Sequence, residues 1–123
     1  MNEKNLLDDI TSKSLNELTD LADKIIKNLE NEINLENKEL SFWYNERAGL
    51  KRLVKDTRGA IKDSNTAIEL DPYNEAPYVV RANAKRDLGQ IKSACIDYKK
   101  AARMVAGTKN GDILSFLAER YCK

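Results

Sequence analysis

Histidine is absent from the chain. Its absence removes the side chain most often used as a general base near neutral pH and as an imidazole metal ligand. There is no Gly-rich phosphate loop and no Gly-x-Ser-x-Gly elbow. The acidic pairs Asp8-Asp9 and Glu30/Glu32 fall on a charged helical surface with no pocket implied, so the chain reads as a non-enzyme. Proline occurs twice and glycine five times. With so few breakers, long helical patterns can run, and no hairpin signal competes with them: the one Asn-Gly pair, Asn110-Gly111, lies between helical patterns. No apolar run approaches the roughly eighteen residues of a membrane span. The opening "MNEKNLLDDI" has no apolar core, so it does not read as a signal peptide. Two cysteines, Cys95 and Cys122, make neither a disulfide framework nor a Cys-x-x-Cys metal site. The expectation is a cytoplasmic protein with both thiols reduced.

Apolar residues make up 41% of the chain and charged residues 33%, enough for a core under a highly charged surface. The net charge of +1 is unevenly spread. Residues 1–40 hold 5 Lys against 10 Asp+Glu, a net of −5. Residues 41–123 hold 16 Lys+Arg against 10 Asp+Glu, a net of +6. The economical reading is a solvated helical surface whose halves attract each other; the sharper one is a basic unit covered by an acidic N-terminal helix.

Shifting the sequence by 34 residues superposes it on itself without a gap. Tyr44 meets Tyr78, Arg47-Ala48 meets Arg81-Ala82, Lys51-Arg52 meets Lys85-Arg86, and Ala60, Asp63 and Ala67 meet Ala94, Asp97 and Ala101. Two units follow, 41–74 and 75–108, between an N-terminal segment 1–40 and a C-terminal segment 109–123, all in one domain. Each unit reads as two helices whose apolar positions recur at three and four. Ala48, Ala60 and Ala67 would let the two helices approach closely. Asp71-Pro72 stops the second helix of the first unit, and Ala106-Gly107 stops that of the second. Leu88-Gly89 marks the turn within the second unit, where glycine takes the left-handed cap conformation.

These residues, "YNERAGLKRLVKDTRGAIKDSNTAIELDP" and "YVVRANAKRDLGQIKSACIDYKKA", resemble the tetratricopeptide repeat. The resemblance implies an all-α, right-handed superhelical array of antiparallel helix hairpins, here two full repeats with degenerate N-terminal helices and a C-terminal capping helix. It departs from the family pattern at Ser64, where the family prefers an aromatic and unit two has Tyr98, and at Lys55, which replaces the turn glycine. Ser64 is expected to leave a thinner core. The ending "ACIDYKKAARM…RYC" resembles small bacterial members, so a bacterial source is expected.

At the C-terminus, Asp112 reads as an N-cap for a helix with Ile113, Phe116, Leu117 and Tyr121 on its apolar face. That helix should run antiparallel to the second helix of unit two, making Cys95 and Cys122 neighbours. At the N-terminus, Ser14 to Glu17 fits a capping box for a helix over 14–35, with 3–10 a short first helix or frayed end. Leu15, Leu18, Ala22, Ile25, Leu29 and Ile33 form its apolar stripe. The stripe packs on the first repeat or forms a dimer seam.

The resemblance also implies a concave groove lined by first helices that holds a segment of a partner protein, in an adaptor or assembly role. Groove positions are Phe42, Asn45, Glu46, Gly49 and Arg52, then Val79, Val80, Asn83, Arg86 and Asp87, with Ile113, Leu117 and Arg120 from the cap. Asn45 and Asn83 suit a partner's backbone amide, and Arg52 and Arg86 suit its carboxylates. Chaperone-tail clamps of this family need basic residues where Asn45, Gly49, Val80, Asn110 and Leu114 stand, so no such clamp is expected. The expected partner is therefore another protein or peptide carrying acidic residues, with no cofactor, metal, membrane or small-molecule substrate. RNA binding by the basic half is the alternative, weakened by few exposed aromatics. Self-association through the N-terminal helix is a third.

Overall fold

The computed structural model describes residues 3–31 and 37–122, with side chains from residue 11 onward in those spans. Six helices follow one another: α1 (Glu3–Glu30), α2 (Asn37–Leu53), α3 (Thr57–Leu70), α4 (Ala76–Asp87), α5 (Ile91–Met104) and α6 (Lys109–Tyr121). Each packs on the next, and α2 also touches α4. The alternation is that of an all-α repeat: α2 and α4 are first helices of hairpins, α3 and α5 second helices. By its packing on α2, α1 behaves as a second helix, and α6 as a first helix.

The repeating Arg, Lys and Asp acquire a physical meaning in these hairpins. Asp63 on α3 is 2% exposed and Asp97 on α5 is 3% exposed. Each is gripped by two Arg hydrogen bonds from the paired first helix: Arg47 Nε and Nη2 donate to Asp63 at 2.7 and 2.9 Å, and Arg81 Nε and Nη2 donate to Asp97 at 2.8 and 2.7 Å. Lys51 and Lys85 add an ammonium at 3.1 Å in each case. A buried carboxylate is tolerated only when so paired. The same contact raises the affinity of Arg47 and Arg81 for their protons, each chiefly through its bonds to Asp63 or Asp97. Around these triads, Ala48, Ala60, Ala67, Ala82, Ala94 and Ala101 are fully buried. Alanine lets the helices close to the separation the Arg–Asp fork requires.

The turns also repeat. Asp56 N–H donates to the Lys51 carbonyl and Gln90 N–H to the Lys85 carbonyl, both at 2.8 Å, closing matched Schellman turns. The residues at the left-handed position are Lys55, φ 71°, and Gly89, φ 78°. Lys55 therefore keeps the glycine's geometry. Asp56 then caps α3 through its side chain, accepting from Gly59 N–H at 3.0 Å. Helix α3 ends at Leu70 with Asp71 as its C-cap, before Pro72 as expected.

Three expectations need correction. The N-terminal region is one unbroken 28-residue helix, so Ser14 lies inside it and caps nothing. No Gly or Pro interrupts residues 3–30, and a capping box starts a helix only where the chain is not already helical. On α1 the face toward α2 is Ala22 and Ile26, both buried, with Leu15, Ile25 and Leu29 half-buried, whereas Leu18 is 48% exposed. Ile33 lies outside the described residues. Second, α6 is capped by Thr108, whose hydroxyl accepts from Gly111 N–H at 3.0 Å; Asp112 sits in the first turn. Its inner face is Leu114 and Ala118, buried, with Leu117 and Tyr121 packed beside the core, while Ile113 and Phe116 point outward. Third, Cys95 and Cys122 are joined in a disulfide, Cα–Cα 5.2 Å, and neither is a free thiol. Antiparallel packing of α6 on α5 makes them neighbours as expected, at a separation a disulfide spans. No helix among the described residues is long and apolar enough to cross a membrane.

At the expected thin spot, Ser64 is fully buried and its hydroxyl has no partner. Tyr98 fills the matching place in the second unit and donates its hydroxyl to the Asn83 side-chain carbonyl. Gly49 stands where Asn83 would be. The two changes go together: the small pair Ser64/Gly49 replaces the hydrogen-bonded pair Tyr98/Asn83.

Candidate functional site

Two hollows lie between successive first helices. Between α2 and α4 a hollow of about 350 Å³ is lined by Asn45, Glu46, Gly49, Leu50, Arg52, Val80 and Asn83, among others. Between α4 and α6 one of about 320 Å³ is lined chiefly by Ala76, Val79, Val80, Ile113 and Leu114, with Glu75 and Asn110 at its edge. Val80 lines both, so the two hollows adjoin along α4 and together make up a trough, more polar beside α2 and apolar beside α6. A third hollow of about 350 Å³, between α1 and α2, is walled by Leu18, Leu21, Ile25, Trp43 and Leu50.

The structure brings Asn45, Glu46, Arg52 and Asn83 together in the α2/α4 hollow and places Val79 in the next one. Phe42 and Arg86 line neither. Phe42 is 48% exposed and meets Trp43 edge-on at 5.2 Å. The Arg86 guanidinium lies 4.9 Å over the Tyr121 ring, fastening α4 to α6.

Several of these groups are already engaged. Arg52 donates to Asp87 from Nε at 2.7 Å and from Nη2 at 3.3 Å. Arg52 and Arg86, expected to suit a partner's carboxylates, each have a contact within the chain: Arg52 is matched by a carboxylate of the next repeat and Arg86 is stacked on an aromatic. The Asn83 side-chain oxygen is taken by Tyr98, leaving its NH₂ as donor. The Asn45 side-chain oxygen is buried without a partner. Sequence reasoning missed Leu53, Glu75 and Ala76 as lining residues, and no signal within one repeat distinguishes them from other first-helix positions.

No family model matches this chain. Among curated proteins it is 36% identical over 69 residues to Sperm-associated antigen 1 of Mus musculus and 40% identical over 60 residues to that of Rattus norvegicus. These matches take in 56% and 49% of this chain but only 8% and 7% of the relatives. Among solved structures it resembles the Arabidopsis OM64 TPR domain, with a TM-score of 0.59 and 21% identity over 89% of this chain and 94% of that one. The chain has the tetratricopeptide fold. These relatives are mammalian and plant proteins, so the bacterial expectation finds no support.

Proposed function

We propose that the chain is a protein-binding module that holds a partner segment along the α2/α4/α6 trough, in an adaptor or assembly role. The observation that supports this reading is the pair of adjoining hollows that share Val80, polar on one side and apolar on the other. A partner suited to it places an apolar side chain against Val79, Ile113 and Leu114, and a backbone amide or polar side chain against Asn45 and Asn83. An acidic partner group would share or displace the Arg52–Asp87 pair. In the RNA-binding alternative, the basic excess of the repeats would meet phosphates. Arg47, Lys51, Arg52, Arg81 and Lys85 are instead paired with carboxylates of the chain itself, which favours the protein partner.

The test uses a photo-crosslinking amino acid at position 80 in source-cell lysate, followed by mapping of the crosslinked peptide. A synthetic copy of that peptide should bind the parent chain, and Val80→Glu should weaken it at least about tenfold. Unchanged affinity in a folded Val80→Glu variant would reject the trough.

A further inference from the structure

The two end helices carry half-interfaces that match each other. Shifted by 34 residues, Phe116 on α6 takes the place of Ala82 on α4 and Ala48 on α2. Both alanines are 0% exposed, facing the second helix of their hairpin; Phe116 is 59% exposed. Shifted likewise, Ser115 and Glu119 replace the Arg and Lys of the buried triad.

Helix α1 shows the complementary change. Arg47 reaches back to Asp23 on α1 as Arg81 reaches back to Asn65 on α3, each at 2.8–2.9 Å. The sequence separations are 24 and 16, so α1 lies 8 residues further back than one 34-residue period. In that register Leu18 takes the place of Ala60 and Leu21 that of Asp63. Ala60 is 0% and Asp63 2% exposed, whereas Leu18 is 48% and Leu21 52% exposed. Both faces have lost the ion triad, and both carry large apolar side chains where complete hairpins are closed. The hollow walled by Leu18, Leu21, Ile25 and Trp43 is the berth a first helix would fill.

Charge points to the occupant. Helix α1 carries 4 Lys against 7 Asp+Glu, a net of −3; α5 carries 4 Lys+Arg against one Asp, a net of +3. A first helix α6 seated on α1 of another copy would bring that α1 into the layer of second helices, alongside α5.

We propose that a second copy of this chain docks head-to-tail, α6 of one copy closing a hairpin with α1 of the next, so that Phe116 enters the Leu18/Leu21 berth. Such a contact is heterologous and leaves a free α1 and a free α6 at the ends, so it grows open chains of copies. One helix pair is a small interface, so assembly is concentration-dependent. The trough through Val80 stays open, and this inference stands or falls separately from the partner-binding reading.

Sedimentation velocity on the parent chain should show mass rising beyond the dimer with concentration. Phe116→Asp alone, and Leu18→Glu with Leu21→Glu alone, should each be monomeric. Each retains one intact face, so an equimolar mixture should form a one-to-one dimer and nothing larger. Circular dichroism checks folding, and the exposure of Phe116 makes its substitution safe for the fold. A parent monomeric at its highest soluble concentration, or no dimer on mixing, overturns the proposal. So does a Phe116→Asp variant that still pairs, the mark of a symmetric α1–α1 dimer.

Discussion

Lys55 holds a left-handed conformation, φ 71°, at the place where the second unit has Gly89, φ 78°. A side chain in that region costs about 1 kcal/mol relative to glycine. Lys55→Gly should therefore raise the denaturant midpoint by the equivalent of roughly 0.5–1 kcal/mol, and Gly89→Lys should lower it by as much. The sequence shows Lys55 as a missing glycine; only the backbone shows that the geometry survived. Tyr44 is a second residue with a measurable signature. Burial, and then its hydrogen bond to the Glu30 carboxylate, push its hydroxyl from 10.0 to about 12. Its proton is held more tightly in the folded state than in the unfolded one. The resulting stability is present below pH 10 and is lost as pH rises from 10 toward 12. Phenolate absorbance should show Tyr44 titrating late, alongside Tyr98, whose hydroxyl burial also pushes up, and Glu30→Gln should bring the titration of Tyr44 closer to that of an ordinary tyrosine.

Among elements, the hairpins are held by the Arg–Asp–Lys triads. Removing one member of a buried ion pair leaves its partners uncompensated, so Asp97→Ala should cost about 3–5 kcal/mol by urea unfolding. The neutral buried hydroxyl of Ser64 behaves oppositely: Ser64→Ala deletes an unpaired polar group and should be neutral or stabilising by about 1 kcal/mol. Helix α6 is fixed by the Cys95–Cys122 disulfide, which spans 27 residues of sequence. Reducing it should lower stability by about 3 kcal/mol, read as a midpoint shift with and without reductant.

The elements also show what a sequence reveals. The 34-residue period was legible because the same alanines and the same Arg, Lys and Asp recur wherever one hairpin must close on itself. The extent of α1 was not, because a capping box is a local motif and cannot report that the chain before Ser14 is already helical. The apolar face of α6 was read through Ile113 and Phe116, although Leu117 and Tyr121 fit a second helical stripe as well. Packing on α5 selects Leu114 and Ala118 over Ile113 and Phe116. The Arg52–Asp87 pair was not legible because Asp87 belongs to the next repeat, 35 residues away.

At the scale of the described molecule, small residues and buried triads close each hairpin, and the Arg52–Asp87 pair ties α2 to α4 beside the trough through Val80. Asn45, Glu46, Gly49, Arg52 and Asn83 on its polar side, and Val79, Val80 and Ile113 on its apolar side, were positions implied by the family resemblance; Glu75, Ala76 and Leu114 depended on where α6 comes to rest. Titrating an isotope-labelled chain with the peptide crosslinked at position 80, and following backbone amide shifts, tests the binding reading most directly. Shifts concentrated at Asn45, Val79, Val80, Asn83 and Ile113 are predicted. Shifts confined to the outward faces of α3 and α5, with those five residues unmoved, would contradict it.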